Sequence, residues 1–373
     1  LRCLVGSEMC IRDSIYLKME NVLDANIHQL EKALERNKVF EKISQNQEPV
    51  YYRDLRSTDF FDIVPYNCRS LLILPLSVGQ SQKILYILKD DRNAFDEYTI
   101  DLITTYVDQA KMALDNARLL EETIESERLK GDFEVAKRVQ NSLLPQQLPK
   151  EDWLEMAVEY RLASEVGGDF YDYFTADGQL ILLVGDVSGK GISAAFHVAE
   201  LKGILHSLKD YLLFPKDFMA RINRAVGDCF SDKIFLTLGY FKINPALKSI
   251  TYIRAGHCPV LFYNAAQRTA EYLQDKGMGM GMVKGEAYRN HISAVNLHFS
   301  ADDVLVLYTD GIVEAMHPET GAEYGYERLR LLIERKAMSS TEQIKSAVLD
   351  DVNTFLEKGE IKDDLTLLII KFK

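Results

Sequence analysis

The run Leu180-Ile181-Leu182-Leu183-Val184-Gly185-Asp186-Val187-Ser188-Gly189-Lys190-Gly191 reads as a buried β-strand that ends on an aspartate and then breaks into glycines. Three further segments repeat the device: Val166-Gly167-Gly168-Asp169-Phe170-Tyr171-Asp172, Tyr308-Thr309-Asp310-Gly311 and Lys362-Asp363-Asp364-Leu365-Thr366. Each follows or opens an apolar run, so carboxylates at strand ends can converge on one edge of a folded sheet. Carboxylates are hard oxygen ligands that suit Mg²⁺ or Mn²⁺, and a set without His or Cys partners argues against structural zinc. Asp-Gly alone is a common turn dipeptide; the ordered recurrence carries the weight. Gly167, Gly168 and Gly185 let backbone approach the ions closely, and Gly189 and Gly191 permit the turn into a helix expected to start near Ser193. That helix would aim its positive end at the anionic site. The phosphate-loop pattern GxxxxGK[ST] is absent, which removes a nucleotide-binding reading.

The order and wording of these segments, with Ala255-Gly256-His257 and the terminal run 365–372, resemble the PPM-type metal-dependent protein serine/threonine phosphatases of the SpoIIE/RsbU-type subgroup over residues 150–373. The resemblance implies an α+β fold, an α-β-β-α sandwich of two packed sheets flanked by helices. It also implies hydrolysis of phosphoserine or phosphothreonine with two Mn²⁺ or Mg²⁺ ions, which clamp the phosphate and lower the pKa of a water between them. On the same resemblance Asp186 is the bridging carboxylate with the Val187 carbonyl beside it, Asp310 and Asp363 complete the first metal, and Asp169 serves the second. Asp186 and Asp310 are the expected catalytic core.

Asp172 lies three residues beyond Asp169, so on a strand it points to the opposite face, and Asp364, adjacent to Asp363, also points away. Both are read as supporting, together with Gly168, Gly185, Gly189, Gly311 and His257. His257 is read as part of a turn, with a general-acid role as the lesser alternative. Val187-Ser188 stands where the wider class often has a histidine, so the general acid and the phosphate-gripping group carry no assignment. The usual substrates of the subgroup are phosphorylated anti-sigma-factor antagonists, small STAS-domain proteins. The alternative is a catalytically silent binding module of the same fold; retention of all four aspartates argues against it.

At 373 residues the chain can hold two domains, each with its own core. Its 47% hydrophobic and 27% charged content is ordinary for a globular protein, and a net charge of −12 disfavours nucleic acid and anionic membrane as partners. The longest apolar run, Leu71-Leu72-Ile73-Leu74-Pro75-Leu76, is far shorter than the ~18 residues a span needs. Cys3, Cys10, Cys68, Cys229 and Cys258 show no CxxC spacing, so a reducing, cytoplasmic setting is expected.

Residues 1–14 read as translated sequencing adapter: Leu4-Val5-Gly6-Ser7-Glu8-Met9-Cys10-Ile11-Arg12-Asp13-Ser14 back-translates into a transposase mosaic end. Native sequence is expected from Ile15, with upstream sequence missing. Residues 15–116, with a helix over 22–43, strands around Val50 and over 70–76 and 83–88, a turn at Gly79 and a long helix after Phe95-Asp96-Glu97, resemble the carboxy-terminal part of a GAF sensory domain. The resemblance implies an unknown small-molecule or protein signal there. Residues 117–149 form a helical, coiled-coil-like linker. Ile103, Val107, Ala110, Leu114 and Ala117 repeat as one seam, which predicts a homodimer through the helix. Leu129, Phe133, Ala136 and Leu143 form a second seam in another phase, with Gln140 filling one slot. Between the seams Gly131 is the expected regulatory hinge.

Overall fold

The computed structural model describes residues 2–7, 48–58, 69–78, 81–231, 233–273, 275–357, 359 and 361–373; the helix expected over 22–43 and the turn at Gly79 lie outside the described residues. The chain forms two units, Leu1–Leu129 and Lys130–Lys373.

In the first unit β1 (Arg2–Ser7), β2 (Val50–Tyr52), β3 (Ser70–Val78) and β4 (Ser81–Lys89) form an antiparallel sheet in the order β1-β4-β3-β2. Alternation along β3 places Leu72, Leu74 and Leu76 on one face, where they meet Leu85, Ile87, Phe95 and Val107. Helix α1 (Glu97–Leu143) begins where the Asp96 carboxylate accepts from the Thr99 amide at 2.8 Å, satisfying an otherwise orphaned donor. The edge strand β1 is formed by residues read as adapter; backbone pairing at an edge asks for no particular side chains.

The second unit continues from α1 through β5 (Leu154–Arg161), β6 (Asp169–Ala176), β7 (Gln179–Val187), α2 (Ile192–Ser207), α3 (Pro215–Cys229), β8 (Leu236–Asn244), β9 (Ser249–Ala255), β10 (Val260–Asn264), β11 (Thr269–Leu273), β12 (Ala294–His298), β13 (Val304–Tyr308), the single turn α4 (Asp310–Val313), α5 (Tyr326–Lys336), α6 (Thr341–Leu356) and β14 (Leu365–Phe372). Two antiparallel five-stranded sheets result, ordered β11-β10-β13-β14-β5 and β12-β9-β8-β7-β6. Period-two alternation divides every central strand. Leu182, Val184, Leu305, Leu307, Leu368 and Ile370 fill the space between the sheets. Ile181, Leu183 and Val187 face α2 and α3, while Val306, Leu367 and Ile369 face α5 and α6. The fold is therefore the expected α-β-β-α sandwich. Strand β14 is buried along its whole length, which matches its unbroken apolar sequence.

Helices α5 and α6 follow β13 in the chain and pack their apolar faces on the outer side of its sheet. Helix α6 opens with a capping box, in which the Ser340 hydroxyl accepts from the Gln343 amide and the Gln343 side chain accepts from the Ser340 amide. Among the described residues no helix is long and apolar enough to cross a membrane.

Candidate active site

Strands β6 and β7 pair so that Asp169 stands directly opposite Asp186, and the Val187 amide donates to the Gly168 carbonyl at 3.1 Å. Tyr171 and Val184 point between the sheets, so by alternation Asp169 and Asp186 lie on that same face, at its edge. On the facing sheet, β13 and β14 end at the same edge. Thr309 and Thr366, which follow β13 and sit in β14, donate their hydroxyls to Oδ2 of Asp169 at 2.7 and 2.6 Å. The Thr366 amide in turn donates to the Thr309 hydroxyl at 2.9 Å, so the two strands share one network.

Asp172 is on the other face of β6. Its Oδ2 accepts from the Lys202 ammonium of α2 at 2.6 Å, with His206 Nε2 at 3.7 Å. Asp364 also points away from Asp363: Oδ1 accepts from the Ala163 amide and Oδ2 from the Gly168 amide, both at 2.9 Å. It thereby fixes the loop before Asp169. A Cβ on Gly167 would collide with the Asp364 carboxylate, and one on Gly168 with the Val187 carbonyl oxygen, so this close approach requires glycine. Gly189 and Gly191 have φ of 105° and 72° and turn the chain into α2. Gly185 lies in β7 and Gly311 in α4, where a Cβ would meet the Asp364 carbonyl.

The electrostatics are those of an anionic cluster that a rim lysine only partly offsets. Burial, then the neighbouring Asp186, pushes Asp169 well above the usual carboxylate range, against the two threonine hydroxyls that lower it. Burial, then repulsion from Asp310, Asp363 and Asp364, pushes Asp186 up to about 8. Asp310 is raised by burial and then by Asp363. Lys190 is the cation at the rim: its ammonium donates to Asp363 and to the Lys362 carbonyl, each at 3.0 Å, and the Asp363 hydrogen bond raises it. Beside it lies a cavity of about 180 Å³ lined in part by Gly311, Glu314, Met316 and Asp363.

Among the described residues no three Asp, Glu, His or Cys side chains meet closely enough to hold one ion as they stand. Asp169 is engaged by threonines and Asp363 by Lys190. The donor set nevertheless fits a hard divalent cation in kind: carboxylates whose mutual repulsion Lys190 only partly offsets, and main-chain oxygen at the same edge.

His257 is buried, with Nδ1 2.9 Å from the Thr237 hydroxyl, and Thr237 is the β8 partner of Asp186. Burial, then the Arg254 guanidinium, pushes the imidazole down to about 4. At pH 7 the ring is therefore neutral rather than imidazolium, which makes it a poor general acid, so a supporting turn is the better reading. Sequence reasoning had passed over Thr309 and Thr366, which flank the motif aspartates, and Gln140, whose amide in an otherwise apolar seam was the available signal.

A family model for stage II sporulation protein E (SpoIIE) matches residues 176–373, more than half of the chain. Phosphoserine phosphatase RsbU of Bacillus subtilis is 28% identical over 250 residues, covering 66% of this chain and 72% of the relative. Phosphoserine phosphatase RsbP of the same organism is 24% identical over 249 residues, covering 65% of this chain and 58% of its own length. Among solved structures, the SiaA-PP2C domain of Pseudomonas aeruginosa aligns with a TM-score of 0.58 at 15% identity, covering 67% of this chain and 98% of that one, a likeness of fold. With this match extending over β7 to β14, where the aspartate motifs from Asp186 onward stand, the chain belongs to the SpoIIE family and is a PPM-type protein serine/threonine phosphatase.

Proposed function

We propose that this phosphatase acts on a phosphorylated STAS-domain protein of the anti-sigma-factor-antagonist type, with Asp169, Asp186, the Val187 carbonyl, Asp310 and Asp363 holding two Mn²⁺ or Mg²⁺ ions. The observation that carries the reading is the register of β6 and β7, which sets Asp169 opposite Asp186 at the edge where β13 and β14 also end. PP2C-type phosphatases as a class are metal-dependent. Bound there, divalent ions would neutralise phosphoryl oxygens and generate a nucleophile at neutral pH. The residues supply the rest. Thr309 and Thr366 orient Asp169, Asp364 and the glycine pair hold its loop, and Lys190, once free of Asp363, is a cation at the rim within reach of an incoming phosphate. The cavity between Lys190 and Met316 offers room for the substrate chain beside the phosphoserine. RsbU and RsbP are named phosphoserine phosphatases, which supports phosphoserine as the reacting group.

The same proposal makes residues 15–116 a GAF-like sensory domain, 117–149 the linker and 150–373 the catalytic domain, with homodimerisation through α1. Ile103 and Val107 of the expected seam pack into the core of the first unit instead, so the pairing rests on Leu114 of that seam with Leu119, Leu120 and Ile124, all exposed.

The test is phosphate release from a phosphorylated STAS-domain protein by the full chain across a Mn²⁺ titration. Asp186→Asn and Asp310→Asn should each lower the rate by about 100-fold or more while far-ultraviolet circular dichroism stays native. Wild-type rates in either variant at saturating Mn²⁺ would overturn the ligand assignment; full activity on free phosphoserine but none on the phosphoprotein would overturn the substrate class.

A further inference from the structure

Gly167 has no strand partner. Pairing of β6 with β7 begins at Asp169, and the last rung beyond it is the bond from the Val187 amide to the Gly168 carbonyl. One residue earlier, both main-chain polar groups of Gly167 are taken by a single side chain: Gln140 Nε2 donates to the Gly167 carbonyl at 2.7 Å, and the Gly167 amide donates to Gln140 Oε1 at 3.2 Å. Gln140 is 2% exposed and sits in the last turn of α1, within the unit that carries the aspartates. Its carboxamide thus does for Gly167 what a neighbouring strand would do, adding a rung to the ladder from outside the sheet. The next amide, that of Gly168, is held from the opposite direction by Asp364. Asp169 therefore leaves a short stretch of backbone that is pinned at two consecutive peptides, one of them by the helix.

We propose that Gln140 is a positioning residue for the acidic edge: the helix end, through this one amide, sets where the Asp169 carboxylate stands and so how tightly the site takes a divalent cation. The inference rests on the reading of Asp169 as a metal ligand. An apolar residue in the same seam slot would fill the volume and hold the helix down, but it would leave a buried N–H and C=O of Gly167 without partners and the loop free to shift. Groups that orient metal ligands typically change metal affinity by about 10- to 100-fold when removed.

The experiment uses the full chain and Mn²⁺ alone, by calorimetry, followed by the Mn²⁺ dependence of turnover. Gln140→Leu is expected to weaken Mn²⁺ binding about tenfold or more, raise the half-saturating Mn²⁺ by the same factor, recover much of kcat at saturation, and speed amide exchange at Gly167 and Gly168. Val139→Ala, on the exposed neighbour, should change none of these. A Gln140→Leu protein that melts earlier yet binds Mn²⁺ like wild type would reduce Gln140 to a structural plug and overturn the proposal. Should that variant not fold, Gln140→Glu decides: it keeps the acceptor for the Gly167 amide but sets a charge against the Gly167 carbonyl, so wild-type Mn²⁺ affinity there overturns the proposal equally. Asp169→Asn separates the two readings. If it leaves Mn²⁺ binding intact, the ligand assignment fails; if it weakens binding while the Gln140 variants do not, only the positioning claim fails.

Discussion

At the acidic edge, Asp169 is held by two threonine hydroxyls and its loop by Gln140 and Asp364, whereas along α1 before Lys130 the large side chains of Leu102, Tyr106, Met112, Leu114, Leu119, Leu120 and Ile124 stand exposed. Both regions are rich in side chains that need partners. They differ in how the partner is specified. A buried hydrogen-bond network is directional, so each member fixes the next, and losing one leaves a desolvated group unpaired. An apolar stripe is satisfied by any complementary cover. Substitutions should therefore fail abruptly at the edge and gradually along the helix.

The sharpest form of the contrast lies within one strand. Asp169→Asn replaces an acceptor of two hydroxyls with a group that is half donor, on the face between the sheets, and should lower Mn²⁺-dependent turnover by about tenfold or more. Asp172→Asn breaks the pair with Lys202 on the opposite face and should instead cost about 1–3 kcal/mol of stability, read from urea unfolding, with a smaller loss of rate. A larger loss of activity in Asp172→Asn than in Asp169→Asn would mean that the wrong carboxylate has been placed toward the site.

A smaller effect is expected beside the edge, at His257. Its folded pKa of about 4 lies below the ordinary value of 6.5, so between these limits the unfolded chain binds a proton that the folded chain does not. Stability from this group is present above about 6.5 and is lost as pH falls toward 4. His257→Gln should flatten the fall in the urea midpoint over that window relative to wild type. Identical slopes in the two proteins would show that the imidazole is not buried neutral.

The strands that hold the site were legible because their burial is two-sided or strictly alternating. β13 and β14 occupy the residues their apolar runs marked, the first stopping at Tyr308 just before Asp310 and the second starting directly after Asp363-Asp364. By contrast β11 and β12 were missed. They are short edge strands, Thr269–Leu273 and Ala294–His298, with alternating exposed positions that resemble loop composition. Helix α6 was missed despite a readable signal, since Ser340 and Gln343 stand at the spacing of a capping box. At the site, carboxylates are recognisable one at a time because their chemistry is local. The threonines and Gln140 are not, because a hydroxyl or amide acquires its role only from the register that brings it to a partner 27 or more residues away.

The smallest effect is expected where the two regions meet. Helix α1 runs unbroken through Gly131, and a Cβ added there would have no atom within 4 Å. Gly131→Ala therefore introduces no clash, and it adds helix propensity of about 1 kcal/mol, about fivefold in the local opening equilibrium. Amide exchange over 128–134 should slow by that factor. If the glycine is a hinge that passes strain between an upstream seam and the end held by Gln140, basal turnover should change by a comparable or smaller factor, in a protein that still sediments as a dimer. Slower exchange with unchanged turnover, in a chain that sediments as a monomer, would show that α1 before Gln140 is a tether.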